Sequence, residues 1–169
     1  MDRGILETAR LRLRTLSVDD AEFILELLND PGFLRYIGDK KVRTAADARD
    51  YILRGPIDSY ARHGFGLYLV ELKDSREPIG ICGLLKRDWL EDPDIGFAFL
   101  ARFTSVGFGY ESATAVLAFA RRTCGLSRVA AITSPDNVAS IGLLTRLGFR
   151  LERDATSSEG DQVKIFVSA

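Results

Sequence analysis

The sequence predicts an α+β fold: a mixed, mostly antiparallel sheet of about six to seven strands flanked by about four helices, in a single domain spanning residues 1–169. Three observations carry this expectation. A chain of 169 residues is the length of one domain built around one core. Short apolar runs alternate with hairpin-length polar breaks through the middle and at the end of the chain. One strand–helix–strand succession in the second half predicts a parallel pair, since such a crossover normally returns to the same sheet with a right-handed turn.

The elements follow in order. Leu11 and Leu13 alternate with Arg12 and Arg14, the period-two pattern of a short half-buried strand. Ser17 with Asp20 is a variant capping box, and Ala21, Ile24, Leu25 and Leu28 recur at helical spacing until Asn29-Asp30-Pro31 stops the run. Thr44 and Asp47 repeat the start signal for a helix whose apolar face is Ala48, Tyr51 and Ile52. Gly55-Pro56 ends or kinks that helix ahead of a polar turn through Arg62-His63-Gly64.

The period then becomes strand-like. Residues 65–73 and 78–86 are apolar runs around Asp74-Ser75-Arg76-Glu77, the spacing of a hairpin. Residues 94–100 form a third run, with Ile95, Phe97 and Phe99 on one face. Ala113, Val116, Leu117 and Ala120 make one stripe on the helix that follows, Gly125 suits its C-cap, and residues 129–133 form the next strand. Pro135-Asp136-Asn137 opens a last helix with Ser140, Leu143, Leu144 and Leu147 on one face and Gly148 behind it. Residues 149–153 and 163–167 then close the chain as a hairpin.

Composition mainly excludes. Apolar residues make up 46% and charged residues 28%, and 23 Lys+Arg against 24 Asp+Glu leave a net charge of -1. With no basic arm, nucleic acid and anionic membrane are not expected partners. Cys82 and Cys124 lack CxxC spacing and sit in apolar surroundings, so both are expected as buried thiols, with neither a disulfide framework nor a zinc site. No run approaches the roughly 18 apolar residues of a membrane span, and residues 1–8 lack the apolar stretch of a signal peptide, so the expected compartment is cytoplasmic. His63 is the one histidine and is expected in a surface loop, which leaves little for a Ser-His-Asp centre or a His-rich metal site.

The stretch Thr104-Ser105-Val106-Gly107-Phe108-Gly109-Tyr110-Glu111 lies between a predicted strand and a predicted helix. Glycines there let the backbone turn sharply, and the first N–H groups of the helix, with its positive dipole end, point at any anion in the turn. A pyrophosphate fits that description, and so does a tight packing turn. There is no GxxxxGK[ST], and no GxGxxG follows the first strand, so neither a P-loop NTPase nor a Rossmann enzyme is supported.

The stretch from Phe97 to Ala115 resembles motif A of the GCN5-related N-acetyltransferases (GNAT), [QR]xxGx[GA], with Gly107 and Gly109 at its two small positions. The run from Asn137 to Phe149 resembles motif B. Its form, with the opening from Thr8 to Arg14 and the segment Asn29-Asp30-Pro31 with Arg35-Tyr36, is similar to the branch that acetylates the N-termini of ribosomal proteins. The sequence departs from the family at Thr104, where motif A has Gln or Arg, at Ser105 and Val106, and at Leu144, where many relatives carry a Tyr as general acid.

The resemblance implies a GNAT fold and direct attack of a primary amine on the thioester of acetyl-CoA, with no metal and no covalent enzyme intermediate. The acceptor would be a protein N-terminal α-amine or a small-molecule amine. The alternative is a non-catalytic CoA-binding regulatory domain of the same fold. Phe99, Leu100 and Ala101 would receive the pantetheine arm, one N–H polarising the thioester carbonyl. Thr104, Ser105, Val106, Gly107, Phe108, Gly109 and Tyr110 would cradle the pyrophosphate, joined by Asn137 and Ser140. Asp94 would take the amine proton through water, its other reading being a solvent carboxylate at a strand edge; Ser140 would serve the leaving thiolate. Glu111 is explained by the helix dipole. Tyr36 and Trp89 are expected on the acceptor side with Tyr60 near them, and Asp88, Glu91, Asp92 and Asp94 would form an acidic mouth around Trp89. Neutralising an amine at pH 7 costs about 4.6 kcal/mol for lysine but only about 1 to 1.4 kcal/mol for an α-amine, so the latter asks little of a base. The chain is expected as a monomer or homodimer.

Overall fold

The computed structural model describes residues 3–168. Among them one sheet of eight strands runs in the order β1-β2-β3-β4-β5-β6-β8-β7. The strands are β1 Gly4–Glu7, β2 Leu11–Arg14, β3 Leu67–Leu72, β4 Pro78–Leu85, β5 Asp94–Phe99, β6 Ala130–Thr133, β7 Arg150–Thr156 and β8 Gln162–Val167. The helices are α1 Ala21–Leu28, α2 Pro31–Tyr36, α3 Ala45–Ile52, α4 Asp58–His63, α5 Phe108–Arg122 and α6 Val138–Arg146. All strand pairs are antiparallel except β5 with β6.

The sheet is thus wider than the six to seven strands expected, and six helices replace about four. β1 was not anticipated; it pairs with β2 through Leu6↔Leu13 and Glu7↔Arg12. Asn29-Asp30-Pro31 stops α1 and at once starts α2, because the Asp30 carboxylate accepts from the Gly32 N–H at 3.0 Å and Pro31 needs no N–H at the first helical position. The α-helical run stops at Ile52, ahead of Gly55-Pro56, but the chain does not pass straight into a polar turn. One π-helical turn, Leu53–Ile57, carries the chain past Pro56 into α4, which stops where Gly64 turns left-handed. His63 is exposed at the end of α4 rather than in a loop.

Each face of the sheet carries its own core. On one, Ala113, Val116, Leu117 and Ala120 of α5 pack over Leu11, Leu13, Tyr68 and Val70, the stripe expected for that helix. On the other, Ile24, Leu27 and Leu28 of α1 and Ala48 and Ile52 of α3 cover Leu67, Leu69 and Ile81. Leu27 takes the fully buried place expected of Leu25, which packs at the margin. Cys82 is buried, but Cys124 is only half-buried. Among the described residues no helix is long and apolar enough to cross a membrane.

Covering both faces corrects the reading of β2 as half-buried. Leu11 and Leu13 lie under α5, while Arg12, only 7% exposed, donates to Glu71 on β3 at 2.7 Å. Arg14 reaches the other Glu71 oxygen at 3.2 Å and both Asp20 oxygens at 2.9 and 3.0 Å. Glu71 is 3% exposed. Its carboxylate therefore compensates two guanidinium groups that solvent barely reaches, and removing one partner of such a set is far costlier than the set is stabilising. Glu71→Gln should lower unfolding free energy by roughly 3–5 kcal/mol in urea titration; a loss below about 1 kcal/mol would show that water reaches these guanidiniums.

Candidate active site

The site begins with a parting of strands. β5 pairs with β6 only at Asp94↔Ala130 and Ile95↔Ala131. Beyond Ile95, β5 stays with β4 as far as Phe99↔Gly80, and β6 stays with β8 as far as Thr133↔Lys164. A V-shaped cleft opens between them. Register decides which backbone groups face it. The Leu100 N–H donates to Ile79 O at 3.0 Å, so in this antiparallel pair Ala98 and Gly96 also turn to β4. The N–H and C=O groups of Phe97 and Phe99 then face the cleft, where no strand meets them.

This shifts the backbone expected to hold a ligand. Leu100 is 2% exposed in the core, and the Ala101 N–H is taken by the Asp30 carboxylate at 3.1 Å. Of the three residues Phe99 to Ala101, Phe99 alone offers cleft-facing backbone, and Phe97, unmarked in the sequence as a donor, joins it. Strand alternation could have pointed to Phe97 only once the neighbour of each edge was known.

At the far end of β5 lies the glycine turn. Gly107 has φ +90° and ends the loop, and the first helical bond of α5 runs from the Glu111 N–H to Gly107 O at 3.0 Å. The N–H groups of Phe108, Gly109 and Tyr110 precede it and have no helical acceptor. Val106 and Tyr110 are exposed. Ser105 is left-handed, φ +64°, and the Thr104 hydroxyl is engaged with Ala101 O at 2.7 Å. A Cβ on Gly109 would come within 3.1 Å of Leu143 and 3.8 Å of Phe99, so its smallness lets α5 settle between α6 and the end of β5. Arg146 of α6 lies over the Tyr110 ring at 4.6 Å.

Glu111 does more than face the helix dipole. It accepts from the Thr8 hydroxyl, the Arg10 backbone N–H at 2.9 Å and Arg10 Nε at 2.7 Å, tying the segment before β2 to the start of α5.

The cleft widens into a cavity of about 550 Å³. Asp94, Ser140, Asn137, Tyr36 and Trp89 all line it, whereas residues 99–110 do not, so the turn and the cavity occupy different parts of the cleft. Tyr60 belongs to the core: its hydroxyl donates to Leu67 O and accepts from the Leu16 N–H, and its ring stacks on Tyr68. The acidic mouth around Trp89 does not form. Asp92 is bound to Arg128 at 2.7 Å, Asp88 and Glu91 are outside the lining, and the charged lining mixes Arg35, Lys40 and Arg87 with Asp94, Glu159 and Asp161.

Asp94 is no solvent carboxylate. It is 1% exposed at the start of a central strand, and Arg87 Nε donates to its Oδ1 at 3.0 Å. Burial pushes its pKa up to about 6, with Arg87 pulling the other way. It is thus ionised at neutral pH yet basic enough to take a proton. The Asn137 side chain caps α6 by accepting the Ser140 N–H at 3.2 Å. That leaves the Ser140 hydroxyl without a hydrogen-bond partner among the described residues. Leu144, one turn on, is 1% exposed and gives the cavity an apolar wall. No cluster of three or more His, Cys, Asp or Glu suited to a metal ion occurs among the described residues.

The sequence is 30% identical over 151 residues to an uncharacterised N-acetyltransferase, YoaA of Bacillus subtilis, covering 88% of this chain and 84% of the relative. In structure it is similar to RimL, a ribosomal L7/L12 α-N-protein acetyltransferase in complex with coenzyme A, at a TM-score of 0.83 with 20% identity, covering 97% and 96% of the two chains. It is also similar to the microcin C7 self-immunity acetyltransferase MccE in complex with acetyl-CoA and AMP, at a TM-score of 0.82 with 17% identity, covering 100% and 97%. The family model of the acetyltransferase (GNAT) domain matches residues 10–150, and the chain, with its sheet split between β5 and β6, belongs to that family.

Proposed function

We propose that this protein transfers an acetyl group from acetyl-CoA to a primary amine, either a protein N-terminal α-amine or a small-molecule amine. One observation carries the reading: the split of β5 from β6 puts the unpaired backbone of Phe97 and Phe99, the Asp94 carboxylate and the Ser140 hydroxyl around one cleft. Acetyl-CoA suits that cleft. Its pantetheine arm is amide-bearing and can pair with a strand edge, and its pyrophosphate suits the N–H groups of Phe108 to Tyr110, which follow the left-handed turn at Gly107.

Acetyl-CoA supplies an activated thioester; the chain's residues do the rest. The Phe97 N–H lies on the cleft edge from which it can donate to the thioester carbonyl oxygen as charge develops there. Asp94, ionised above about 6, accepts the amine proton directly or through water. Ser140 donates a hydrogen bond to the departing thiolate, the role that Leu144 cannot fill. Tyr36 and Trp89 bound the space on the acceptor side.

Release of free thiol from acetyl-CoA in the presence of peptide and small-amine panels tests this reading. Turnover on an amine is the expected result. CoA binding without turnover on any acceptor would favour a non-catalytic regulatory domain. With an acceptor of low amine pKa, kcat/KM should rise with pH through about 6 and then level, because the ionised Asp94 is the active form. Asp94→Asn should remove that limb and lower kcat roughly a hundredfold or more. Ser140→Ala should reduce kcat more than it alters the KM for acetyl-CoA, and an unchanged kcat would take Ser140 out of the mechanism.

A further inference from the structure

The GNAT motif A pattern has a Gln or Arg where this chain has Thr104, and the Thr104 hydroxyl is already spent on Ala101 O. The turn at the start of α5 therefore contains no cation of its own: residues 104–109 are Thr, Ser, Val, Gly, Phe and Gly. A pyrophosphate there would meet oriented N–H groups but no positive side chain from residues 104–109, and Arg102, earlier in the loop, is paired with Glu26 and Glu77.

A cation nevertheless stands at that turn, brought from near the start of the chain. Arg10, just before β2, donates from Nε to Glu111 at 2.7 Å and from NH1 to Val106 O at 3.1 Å, and its guanidinium lies over the Phe108 ring at 4.3 Å. Three contacts on three residues of the turn hold a long side chain in one place, so its rotamer entropy is already lost before any ligand arrives. The remaining edge of the guanidinium, NH2, lies 3.2 Å from where a Cβ on Gly107 would be, and its donors have no partner among the described residues. The side chain is 47% exposed, against 19% for Glu111. The carboxylate thus grips one edge from inside while the other edge is presented at the turn.

We propose that Arg10 is the phosphate-binding cation of the cofactor cradle, replacing in space the basic or amide side chain that motif A lacks at Thr104, with Glu111 as its positioning residue. The proposal rests on the CoA reading given above. A guanidinium suits the task because its planar fork can donate through NH2 to a phosphate oxygen while Nε and NH1 remain bound. It also explains why Glu111, an acid beside an anion site, does not repel the ligand: its charge is taken up by Arg10, and its pKa is lowered by the bonds from Thr8 and Arg10 despite partial burial.

Calorimetric titration of CoA into wild type, Arg10→Lys and Arg10→Gln, each at low and high salt, tests this. Arg10→Gln should weaken CoA binding roughly tenfold to a hundredfold and flatten its salt dependence, since a charge-assisted bond to phosphate is lost. Arg10→Lys should recover part of the affinity and keep the wild-type salt dependence. Equal losses in the two variants with the salt dependence unchanged would overturn the proposal and leave Arg10 as a brace for the loop. Unaltered affinity in Arg10→Gln would overturn it outright. Failure of the wild type to bind CoA would instead overturn the CoA reading on which it rests, so the two failures are told apart.

Discussion

Everything at the site depends on β5 and β6 being neighbours for two residue pairs and strangers thereafter. A parallel pair that continued would bury the backbone of Phe97 and Phe99 in the sheet; one that never formed would leave β6, β8 and β7 without hydrogen bonds to the rest of the sheet. Each strand is held in the split by its other neighbour, β5 by β4 and β6 by β8. The exposed edges are affordable because they face a cleft that polar ligands and water can enter, where unpaired backbone groups carry no desolvation penalty. Asp94 sits at the vertex, on the last stretch where the two strands still pair, and this is why a carboxylate beside a ligand cleft is itself almost fully buried.

The same economy governs the other interior charges. Glu71 satisfies Arg12 and Arg14, Arg87 satisfies Asp94, and Glu111 satisfies Arg10. In the first case the result is a structural set, buried at Arg12, Arg14 and Glu71 and rimmed by the exposed Arg76. In the second and third, one member of the pair also faces the cleft or the glycine turn. Pairing with Arg87 keeps the Asp94 pKa from rising as far as burial alone would drive it, so a proton can be taken near neutral pH and given up again. A nearly neutral chain can thus present local charge to an anionic cofactor without a surplus of Lys and Arg.

Much of this was legible in the sequence, and the limits have physical reasons. The α5 stripe, the β3–β4 hairpin and the sharp turn at Gly107 depend on local period and turn chemistry, and they stand where those signals put them; Gly125 is left-handed too, but lies two residues beyond the Thr123 C-cap of α5. Asp94 and Ser140 could be singled out from motif resemblance, and both line the cavity. Other features depend on what meets what across the chain. β1 exists because β2 offers it an edge, and the Ala101 N–H is lost to Asp30, 71 residues away. Glu71 looks like an ordinary strand acid until three arginines close on it, Arg12, Arg14 and Arg76. Phe97 becomes a donor only through register, and Arg10 reaches the turn at Val106 from 96 residues earlier in the chain. None of these leaves a periodic trace. Gly55-Pro56 marks where the helix is interrupted but not the form of the interruption, a π-turn that absorbs the proline before α4 begins.

The central claim is that the parted strand edge and the first turn of α5 together form the seat of CoA. Amide-resolved NMR of the 15N-labelled protein titrated with CoA tests it most directly. The account predicts the largest shifts at the N–H groups of Phe97, Phe99, Phe108, Gly109 and Tyr110, with those of Leu100 and Ala101 moving less because Ile79 and Asp30 already hold them. Saturable CoA binding that left Phe97 and Phe99 unmoved, or that shifted Leu100 and Ala101 in their place, would contradict it.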